Sequence, residues 1–476
     1  MSDAATQLAI IGAGPGGYAA AFLAADLGLQ VTLVDPEANP GGVCLYRGCI
    51  PSKTLLHATH LLTEAKNGAQ WGLAFKDLTM DVSALRQRKD RVVAQLTEGL
   101  GQLVKRRKIT YMRGSAVFQD EKTLSVEGLG GETHRLTFEQ AIIATGSRAL
   151  ALPLFDAAGK RVLNATAALE LEAIPDRLLV VGGGYIGLEL GSVYAGLGSK
   201  VCLVEMTSAL LPGVDRDLVR FLHKRLQSLF EDIQLQAVVE EAKWQKNGVM
   251  VQIRDKEGKA AKRLFDKILV AVGRKPRSDG LGLEAIGIET DGEGFIRVDD
   301  QRRTSRRHIF AIGDVAGQPM LAHKASHEGR VAVEVIAGQK SVFKPLAVPA
   351  VVFTDPEIAW AGLTESQAKA QSVAFEVARF PWGASSRAAT LGAPEGLTKI
   401  LLDPESEAII GVGIVGANAG ELIAEGTLAI EMGANATDLG LTIHPHPTLS
   451  ETMMEAAHVF HRTAAHYYTP PRKPKP

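Results

Sequence analysis

Residues 8–17 read LAIIGAGPGG, and residues 178–187 read LLVVGGGYIG. In both stretches an apolar run enters a glycine-rich turn, a helical stretch follows, and a second strand-like run ends at an acid, Asp35 in the first copy and Glu205 in the second. Each acid follows the first glycine of its turn at the same interval. The repeat predicts two β-α-β units, and hence an α/β fold with two Rossmann-like dinucleotide-binding domains.

The glycines and the acids have separate roles in such a site. The first glycine makes the tight turn, the second lets the backbone approach a pyrophosphate, and the third lets helix and strand pack closely. The acid accepts hydrogen bonds from ribose hydroxyls and repels a 2′-phosphate, so NAD is favoured over NADP. Ordinary glycine turns are the alternative, and the turns alone do not say which site takes a flavin. The candidate cofactor-binding residues are Gly12, Gly14, Gly17 and Asp35 in the first unit and Gly182, Gly184, Gly187 and Glu205 in the second.

The α/β pattern continues through most of the chain. Residues 141–145 and 268–272 read as short buried strands that close the two dinucleotide domains, and residues 309–312 form another strand-like run. From Val348 onward, alternating strand-like and helical runs are typical of an α+β module. We predict four parts, residues 1–147, 148–275, 276–346 and 347–476, and a disordered tail from Pro470 to Pro476.

The composition excludes several classes of partner. The formal net charge of the 476 residues is -1, so no global field draws the protein to nucleic acid or to an anionic membrane. No apolar run is long enough to cross a membrane without interruption, and the start lacks the features of a signal peptide. We therefore expect a cytoplasmic protein. Three cysteines are too few for a structural disulfide framework.

Two of the cysteines stand close together in residues 41–53, GGVCLYRGCIPSK. Cys44 and Cys49 precede Pro51 and a helix-like run over 54–65, where helix amides and the charge of Lys53 favour a thiolate. The spacing indicates a redox-active pair. A metal site or two inert thiols are the alternatives, but zinc needs four ligands and no further Cys or His cluster has finger-like spacing, so we expect no metal. Cys202, inside a strand, reads as a buried apolar residue.

A candidate acid-base group lies near the C-terminus, where residues 444–451 read HPHPTLSE. His446 titrates near neutral pH and is suited to move a proton, and a carboxylate such as Glu451 orients a histidine ring and raises its basicity. Residues 448–451 also fit a capping box that opens a helix running to His461. Spacing alone leaves both interpretations of Glu451 open. His444 reads as a structural neighbour.

Together these motifs resemble the pyridine nucleotide-disulfide oxidoreductases, and the resemblance covers the whole chain. It implies that the first unit binds FAD, the second binds NAD, residues 276–346 form a central domain that completes the FAD site, and the C-terminal part is a dimerisation domain. Residues 309–314 resemble the second flavin motif of the family, and residues 271–274 resemble its NAD-side loop. The further FAD-contacting residues that it implies are Lys53, Ala116, Gly146, Ser147, Asp314 and Ala322, and the further NAD-contacting residues are Val239, Gly273 and Arg274.

The resemblance also implies the chemistry. Cys44 and Cys49 are the redox disulfide, Cys49 is next to the flavin, and Lys53, paired with Glu189, tunes the flavin. His446 is the base and Glu451 its orienting partner, both supplied by the opposite subunit of a homodimer. The branch that the chain resembles takes electrons from dihydrolipoyl groups on the acyltransferase subunits of 2-oxo acid dehydrogenase complexes, or on the lipoyl protein of glycine cleavage, and passes them to NAD.

One detail departs from the family pattern. Tyr46 and Arg47 stand between the cysteines where relatives usually have Asn and Val, so we expect an effect on substrate entry or on the disulfide potential. The rival functions are another disulfide reductase, such as one acting on glutathione or mercuric ion, and a nucleotide-binding scaffold without chemistry. A glutathione reductase would have an arginine-lined NADP pocket, and no arginine directly follows Glu205. A mercuric reductase would have an extra cysteine pair near the C-terminus, and no cysteine follows His446.

Overall fold

The computed structural model describes residues 3–76 and 78–470. The tail for which we predict disorder lies outside these ranges, apart from Pro470. Within the described residues, no helix combines the length and the apolar character needed to span a membrane.

The first dinucleotide unit is built on a six-stranded sheet. Its elements are β1 (Asp3–Ile11), α1 (Pro15–Asp26), β2 (Val31–Asp35), α2 (Gly42–Arg47), α3 (Cys49–Lys66), a 3-10 helix (Gly68–Trp71), α4 (Val82–Arg106), β3 (Thr110–Asp120), β4 (Thr123–Gly128) and β5 (Thr133–Ile143). Strand β1 pairs in parallel with both β2 and β5. Its apolar residues are buried against a separate core on each face of the sheet, as expected for a central parallel strand.

The second unit repeats this arrangement. Its elements are β6 (Ser147–Ala149), a 3-10 helix (Pro153–Arg161), β7 (Val162–Leu163), α5 (Ala165–Leu169), β8 (Arg177–Val181), α6 (Tyr185–Gly196), β9 (Lys200–Glu205), α7 (Arg216–Leu229), β10 (Asp232–Leu235), β11 (Val238–Gln245), β12 (Gly248–Arg254), β13 (Ala260–Phe265) and β14 (Lys267–Val270). A parallel sheet has the order β10-β9-β8-β14-β7, and β11, β12 and β13 form an antiparallel sheet. Both predicted β-α-β units are therefore present.

The next segment returns to the first unit. It contains β15 (Arg274–Pro276), a 3-10 helix (Glu284–Ile286), β16 (Ile309–Ala311), a 3-10 helix (Gly313–Ala316) and α8 (Ala322–Ile336). Strand β15 pairs with β6, and β16 extends the first sheet beside β5. Helix α8 packs on α1 so closely that a Cβ on Gly329 would lie 2.8 Å from the carbonyl oxygen of Gly16. Residues 276–346 thus add a strand and a helix to the first unit.

The C-terminal part is an α+β module with its own apolar core. Its elements are β17 (Ala350–Val352), β18 (Glu357–Gly362), α9 (Glu365–Ala370), β19 (Glu376–Pro381), a 3-10 helix (Trp382–Ala384), α10 (Ser386–Thr390), β20 (Leu397–Leu402), β21 (Ile409–Gly416), α11 (Ala419–Glu431), α12 (Ala436–Leu441) and α13 (Glu451–His461). The strands form one antiparallel sheet in the order β17-β18-β21-β20-β19.

Helix α3 begins earlier than the sequence pattern suggests. The pattern predicts a helix over 54–65, but the first helical residue is Cys49 and Pro51 lies in the first turn. Proline is tolerated there because the first amides of a helix have no carbonyl partner within the helix. Cys49 therefore lies at the helix N-terminus, and Cys44 lies in the preceding short helix α2.

A buried lysine joins the second unit to the C-terminal module. Lys399 on β20 is fully buried, and its Nζ lies 2.8 Å from Asp215, 3.0 Å from Asp217 and 2.6 Å from Glu365. Arg379 also pairs with Asp217 and Glu365. The three carboxylates have the spacing of a cation site, and the Lys399 ammonium lies among them. This ion cluster fixes α7 against β20 and α9.

Replacing Lys399 with methionine should lower the free energy of unfolding by about 3–5 kcal/mol, because three carboxylates are left facing one another without their buried cation. Chemical denaturation of the purified protein measures the loss. The control is Lys224→Met, which removes an exposed ion pair with Glu395 and should cost less than about 1 kcal/mol. Equal losses in the two variants would contradict a role for burial.

Candidate active site

One continuous cavity runs from the first glycine turn to the start of α6 in the second unit. It collects the redox cysteines and most of the residues predicted to contact FAD, although they come from distant parts of the chain. The predicted site residues that line it are Gly12, Gly14, Asp35, Cys44, Cys49, Lys53, Gly146, Ser147, Arg274, Asp314 and Ala322.

The two predicted ribose acids shape their own glycine turns in the same way. Asp35 accepts a hydrogen bond from the Ala13 amide at 2.7 Å and another from the Glu37 amide at 2.9 Å. In the second unit Glu205 accepts from the Gly183 amide at 2.7 Å and from the Thr207 amide at 2.7 Å. Burial raises the pKa of Asp35, and the two amides work in the opposite direction.

The backbone of both turns fits a dinucleotide pyrophosphate. Gly12 and Gly182 have φ of +100° and +110°, and a Cβ on either would lie 2.4 Å from the carbonyl oxygen of the residue that follows the neighbouring strand, β5 or β14. Gly184, which precedes α6, has open space where its Cβ would be. The second turn therefore leaves its backbone open at the N-terminus of α6, and the first turn likewise stands at the N-terminus of α1, which is where phosphate groups bind.

The two cysteines differ in exposure and in acidity. Cys49 is exposed at the first position of α3, and Cys44 is half-buried in α2. A hydrogen bond from the Cys44 side chain and the nearby charge of Lys53 lower the pKa of Cys49 to about 7. The hydrogen bond to Cys49 and burial raise the pKa of Cys44. When the pair is reduced, the negative charge is therefore held on Cys49.

Lys53 is held by the second dinucleotide unit. Its Nζ lies 2.7 Å from Oε2 of Glu189 on α6, and Glu189 is almost completely buried. The other oxygen of Glu189 accepts from the Phe353 amide at 3.0 Å, and the ammonium lies 4.5 Å from the centre of the Phe353 ring. Three parts of the chain thus fix one positive charge beside the cysteines.

A second polar chain crosses between the units. Ser147 donates to Asp314, and Arg274 donates through Nε to the Ser147 hydroxyl at 2.7 Å and through Nη2 to the Ser147 carbonyl at 2.9 Å. Arg274 is predicted on the NAD side and Ser147 on the FAD side. Arg274 lies where the two sides meet, at the β6–β15 pair.

The C-terminal histidine and glutamate form a pair. Nδ1 of His446 lies 2.9 Å from Oε1 of Glu451, while Oε2 of Glu451 accepts from the Thr448 amide at 2.7 Å. Burial acts to raise the pKa of Glu451, but the Thr448 amide and His446 outweigh it and lower that pKa. The carboxylate thus makes the backbone contact expected of a capping residue and also orients the ring. The helix N-cap is Ser450, which makes no side-chain capping bond.

His446 lies outside the cavity that holds the cysteines. Neither His446 nor Glu451 is among the described residues that line it, and the His446 side chain is 64% exposed. The two halves of the predicted catalytic group are therefore separated within one chain.

The remaining predicted residues lie elsewhere. Gly17 packs against Gly12, and Ala116 is buried in β3 opposite Val126, away from the cavity lining. Gly187 packs behind Gly182, and Val239 lies in β11 beside a bulge. Gly273 precedes β15.

Two further residues, Cys202 and His444, agree with the expectations from the sequence. Cys202 is fully buried, and burial raises its pKa to about 12. Both ring nitrogens of His444 are occupied, by Glu425 at 2.6 Å and by the Thr442 carbonyl at 2.8 Å, so its role is structural.

Tyr185 and Glu37 line the cavity but were not predicted from the sequence, and neither was the contact of Arg47 with Glu37. Tyr185 is the first residue of α6, directly after the second glycine turn. That position faces any ligand bound at the turn and is the signal from which it is predictable.

Comparisons with known proteins agree with this geometry. A family model described as pyridine nucleotide-disulphide oxidoreductase matches residues 6–329, and the dimerisation domain of that family matches residues 348–457. The dihydrolipoyl dehydrogenase of Vibrio cholerae is 46% identical over 457 residues, which is 96% of each chain. That of Geobacillus stearothermophilus is 44% identical over 98% of each chain. The crystal structure of LpdA from Mycobacterium tuberculosis superposes with a TM-score of 0.88 at 28% identity, covering 95% of this chain and 99% of that one.

The reduced protein should contain one thiol that titrates near pH 7, with the thiolate of Cys49 present above that pH and lost below it. The rate of alkylation by iodoacetamide, measured against pH, reports this pKa, and mass spectrometry locates the adduct. Lys53→Met should raise the pKa, because the positive charge that stabilises the thiolate is removed. Cys202 is the internal reference and should stay unmodified, since it is buried with a pKa of about 12. A Cys49 pKa that does not move in Lys53→Met would refute this assignment.

Proposed function

The chain belongs to the pyridine nucleotide-disulphide oxidoreductase family, and from this membership we propose that it acts as a dihydrolipoyl dehydrogenase. In this reaction a dihydrolipoyl group is oxidised to the lipoyl disulfide and NAD+ is reduced to NADH. One observation carries the proposal. The cysteine pair lies in the same cavity as the first dinucleotide turn, while a histidine-carboxylate pair lies outside it on the dimerisation domain.

The cofactors are FAD and NAD. The first turn, Asp35 and the Ser147–Asp314 pair would hold FAD, and the second turn with Glu205 would hold NAD. Bound FAD would supply two-electron transfer between the cysteine dithiol and NAD+. Glu205 is followed by Met206 and Thr207, and neither side chain is a cation that could pair with a 2′-phosphate. This supports NAD over NADP.

The thiol chemistry follows from the two cysteines and the histidine. His446 takes a proton from one substrate thiol, and the resulting thiolate attacks Cys44 Sγ of the Cys44–Cys49 disulfide. The enzyme S–S bond breaks and Cys49 leaves as a thiolate. Protonated His446 then gives its proton to Cys44 and takes one from the second substrate thiol, whose sulfur attacks the substrate sulfur of the mixed disulfide and expels Cys44 as a thiol. The substrate is oxidised by two electrons, and the enzyme disulfide is reduced by the same two.

The acidities support this assignment of roles. A thiolate leaves more readily when its pKa is low, and the pKa of Cys49 is lowered while that of Cys44 is raised. Glu451 orients His446 through Nδ1, which leaves Nε2 as the nitrogen that exchanges a proton with the substrate.

A homodimer would complete the site. Residues 348–457 match a dimerisation domain, and large apolar side chains near His446 are exposed, including Ile443 at 94%. We propose that these residues are covered by the partner subunit and that each His446 serves the cysteines of the other chain. The lipoyl groups would be those carried by 2-oxo acid dehydrogenase complexes or by the glycine cleavage lipoyl protein, in the reducing cytoplasm, where the cysteine pair is able to cycle.

The assay that tests the function compares substrates and cofactors. The purified protein with FAD should oxidise dihydrolipoamide with NAD, and replacing NAD by NADP should lower kcat/KM by about a hundredfold, because Glu205 repels the 2′-phosphate. Cys44→Ser and Cys49→Ser should each abolish turnover, whereas Cys202→Ala, outside the cavity, should retain it. Preference for glutathione disulfide with NADPH would favour the other reductases, and bound nucleotides without turnover would favour the scaffold.

His446→Gln should lower turnover of dihydrolipoamide by about a hundredfold to ten-thousandfold, since the proton acceptor is lost. Reduction of the bound flavin by NADH, followed by absorbance, should persist, because that half-reaction needs no substrate thiol to be deprotonated. The matched control is His461→Gln at the other end of α13, where the ring lies 3.5 Å from Glu407. Loss of both half-reactions in His446→Gln would indicate a structural role instead.

A further inference from the structure

Two of the four residues between the cysteines contact the loop that follows β2. Tyr46 donates from its hydroxyl to the Asn39 carbonyl at 2.9 Å, and the guanidinium of Arg47 pairs with the carboxylate of Glu37. Both partners lie in the loop of residues 36–41 that joins β2 to α2. The last turn of α2 is therefore attached to the loop that begins at the ribose acid Asp35.

This loop is held at both ends by the first dinucleotide turn. At its start the Glu37 amide donates to Asp35 at 2.9 Å, and at its end the Gly41 amide donates to the Ala13 carbonyl at 2.8 Å. The Tyr111 hydroxyl donates to the Glu37 carbonyl at 3.2 Å. The Arg47–Glu37 pair is thus a side-chain link from the cysteine segment to a loop that otherwise follows the glycine turn.

Arg47 lines the cavity at the end where the carboxylates of Asp35 and Glu37 lie. Asp35, Glu37 and Arg47 all line it, and Arg47 is among the charges that act on the Asp35 carboxylate. The charge of Lys53 acts on both thiols, and that of Glu189 acts on Cys49. An effect of Arg47 on substrate entry or on the disulfide potential stays a prediction.

We propose that Arg47 is a positioning residue for the adenosine end of the flavin, closing the 36–41 loop over that end through Glu37. The proposal rests on the proposed function only in taking the ligand of the first turn to be FAD. Because Arg47 and Glu37 are 37% and 27% exposed, the link is a moderate one that slows the loss of cofactor and does not create the site.

The test is the rate of FAD release, followed by the recovery of flavin fluorescence when the holoenzyme is diluted. Arg47→Val should release FAD about two- to fivefold faster, and Arg47→Glu faster still, since it places a third carboxylate beside Glu37 and Asp35. Arg47→Lys should stay close to the parent. The exchanged pair Arg47→Glu with Glu37→Arg should restore release to within about twofold of the parent.

The matched control is Arg107→Val, because Arg107 pairs with Asp26 at 2.9 Å in the same dinucleotide unit but lies outside the cavity. It should leave FAD release unchanged. The KM for dihydrolipoamide, measured with saturating FAD, distinguishes an effect of Arg47 on FAD binding from an effect on the substrate path. It should change less than about twofold in Arg47→Val.

Unchanged FAD release in Arg47→Val and Arg47→Glu would overturn the proposal, and so would a raised KM with normal release, which would assign Arg47 to the substrate path. FAD release needs no turnover. A protein that bound flavin through Arg47 but did not oxidise dihydrolipoamide would therefore refute the proposed function and leave this inference standing.

Discussion

The structure depends on a carboxylate at the end of the second strand of each dinucleotide unit. Asp35 and Glu205 each hold the amide that follows the first glycine of their turn, at 2.7 Å in both units. Because β1, β2 and β5, and in the second unit β8, β9 and β14, run parallel, these turns form at the carboxyl edges of their sheets. A dinucleotide binds at that edge, so the cysteines and the other reacting groups of the site have to lie next to it.

The cysteine segment reaches this edge by backbone contact. A Cβ on Gly42, just before Cys44, would lie 2.5 Å from Gly14 Cα, so the chain there passes directly over the first turn. Helix α3 then begins at Cys49 and carries Lys53 to Glu189 of the second unit. The same segment therefore contacts both nucleotide units, which gives the thiols a fixed position and fixed charges. The lowered pKa of Cys49 is a consequence of that position.

The position of His446 is set by the C-terminal module and not by the cysteine segment. His446 and Glu451 form a finished pair on the C-terminal module, yet the cavity of the same chain does not include them. The buried Lys399 cluster fixes this module against the second unit, so a hinge motion that carried His446 to the cysteines would have to break it. Under the proposed function, a second copy of the chain would supply the histidine without breaking this cluster.

Much of the fold was predictable because it rests on local rules. Glycine turns, apolar runs and terminal acids specify β-α-β units from residues close in the sequence, and Cys44 and Cys49 lie on one short segment. The structure agrees with those predictions but begins α3 at Cys49, since a proline is compatible with a first turn. Local patterns also left Glu451 open between two interpretations, and its two oxygens serve both contacts.

What the sequence by itself determined is the presence of two nucleotide turns, a close pair of cysteines at the start of a helix, and a histidine near the C-terminus that is suited to move a proton. Only the tertiary structure decided that Arg274 joins Ser147, that Arg47 faces Glu37, that Ala116 lies away from the cavity and that His446 is outside it. These are contacts between residues far apart in the chain, or directions of long side chains. Both depend on how whole elements pack, which no local pattern encodes.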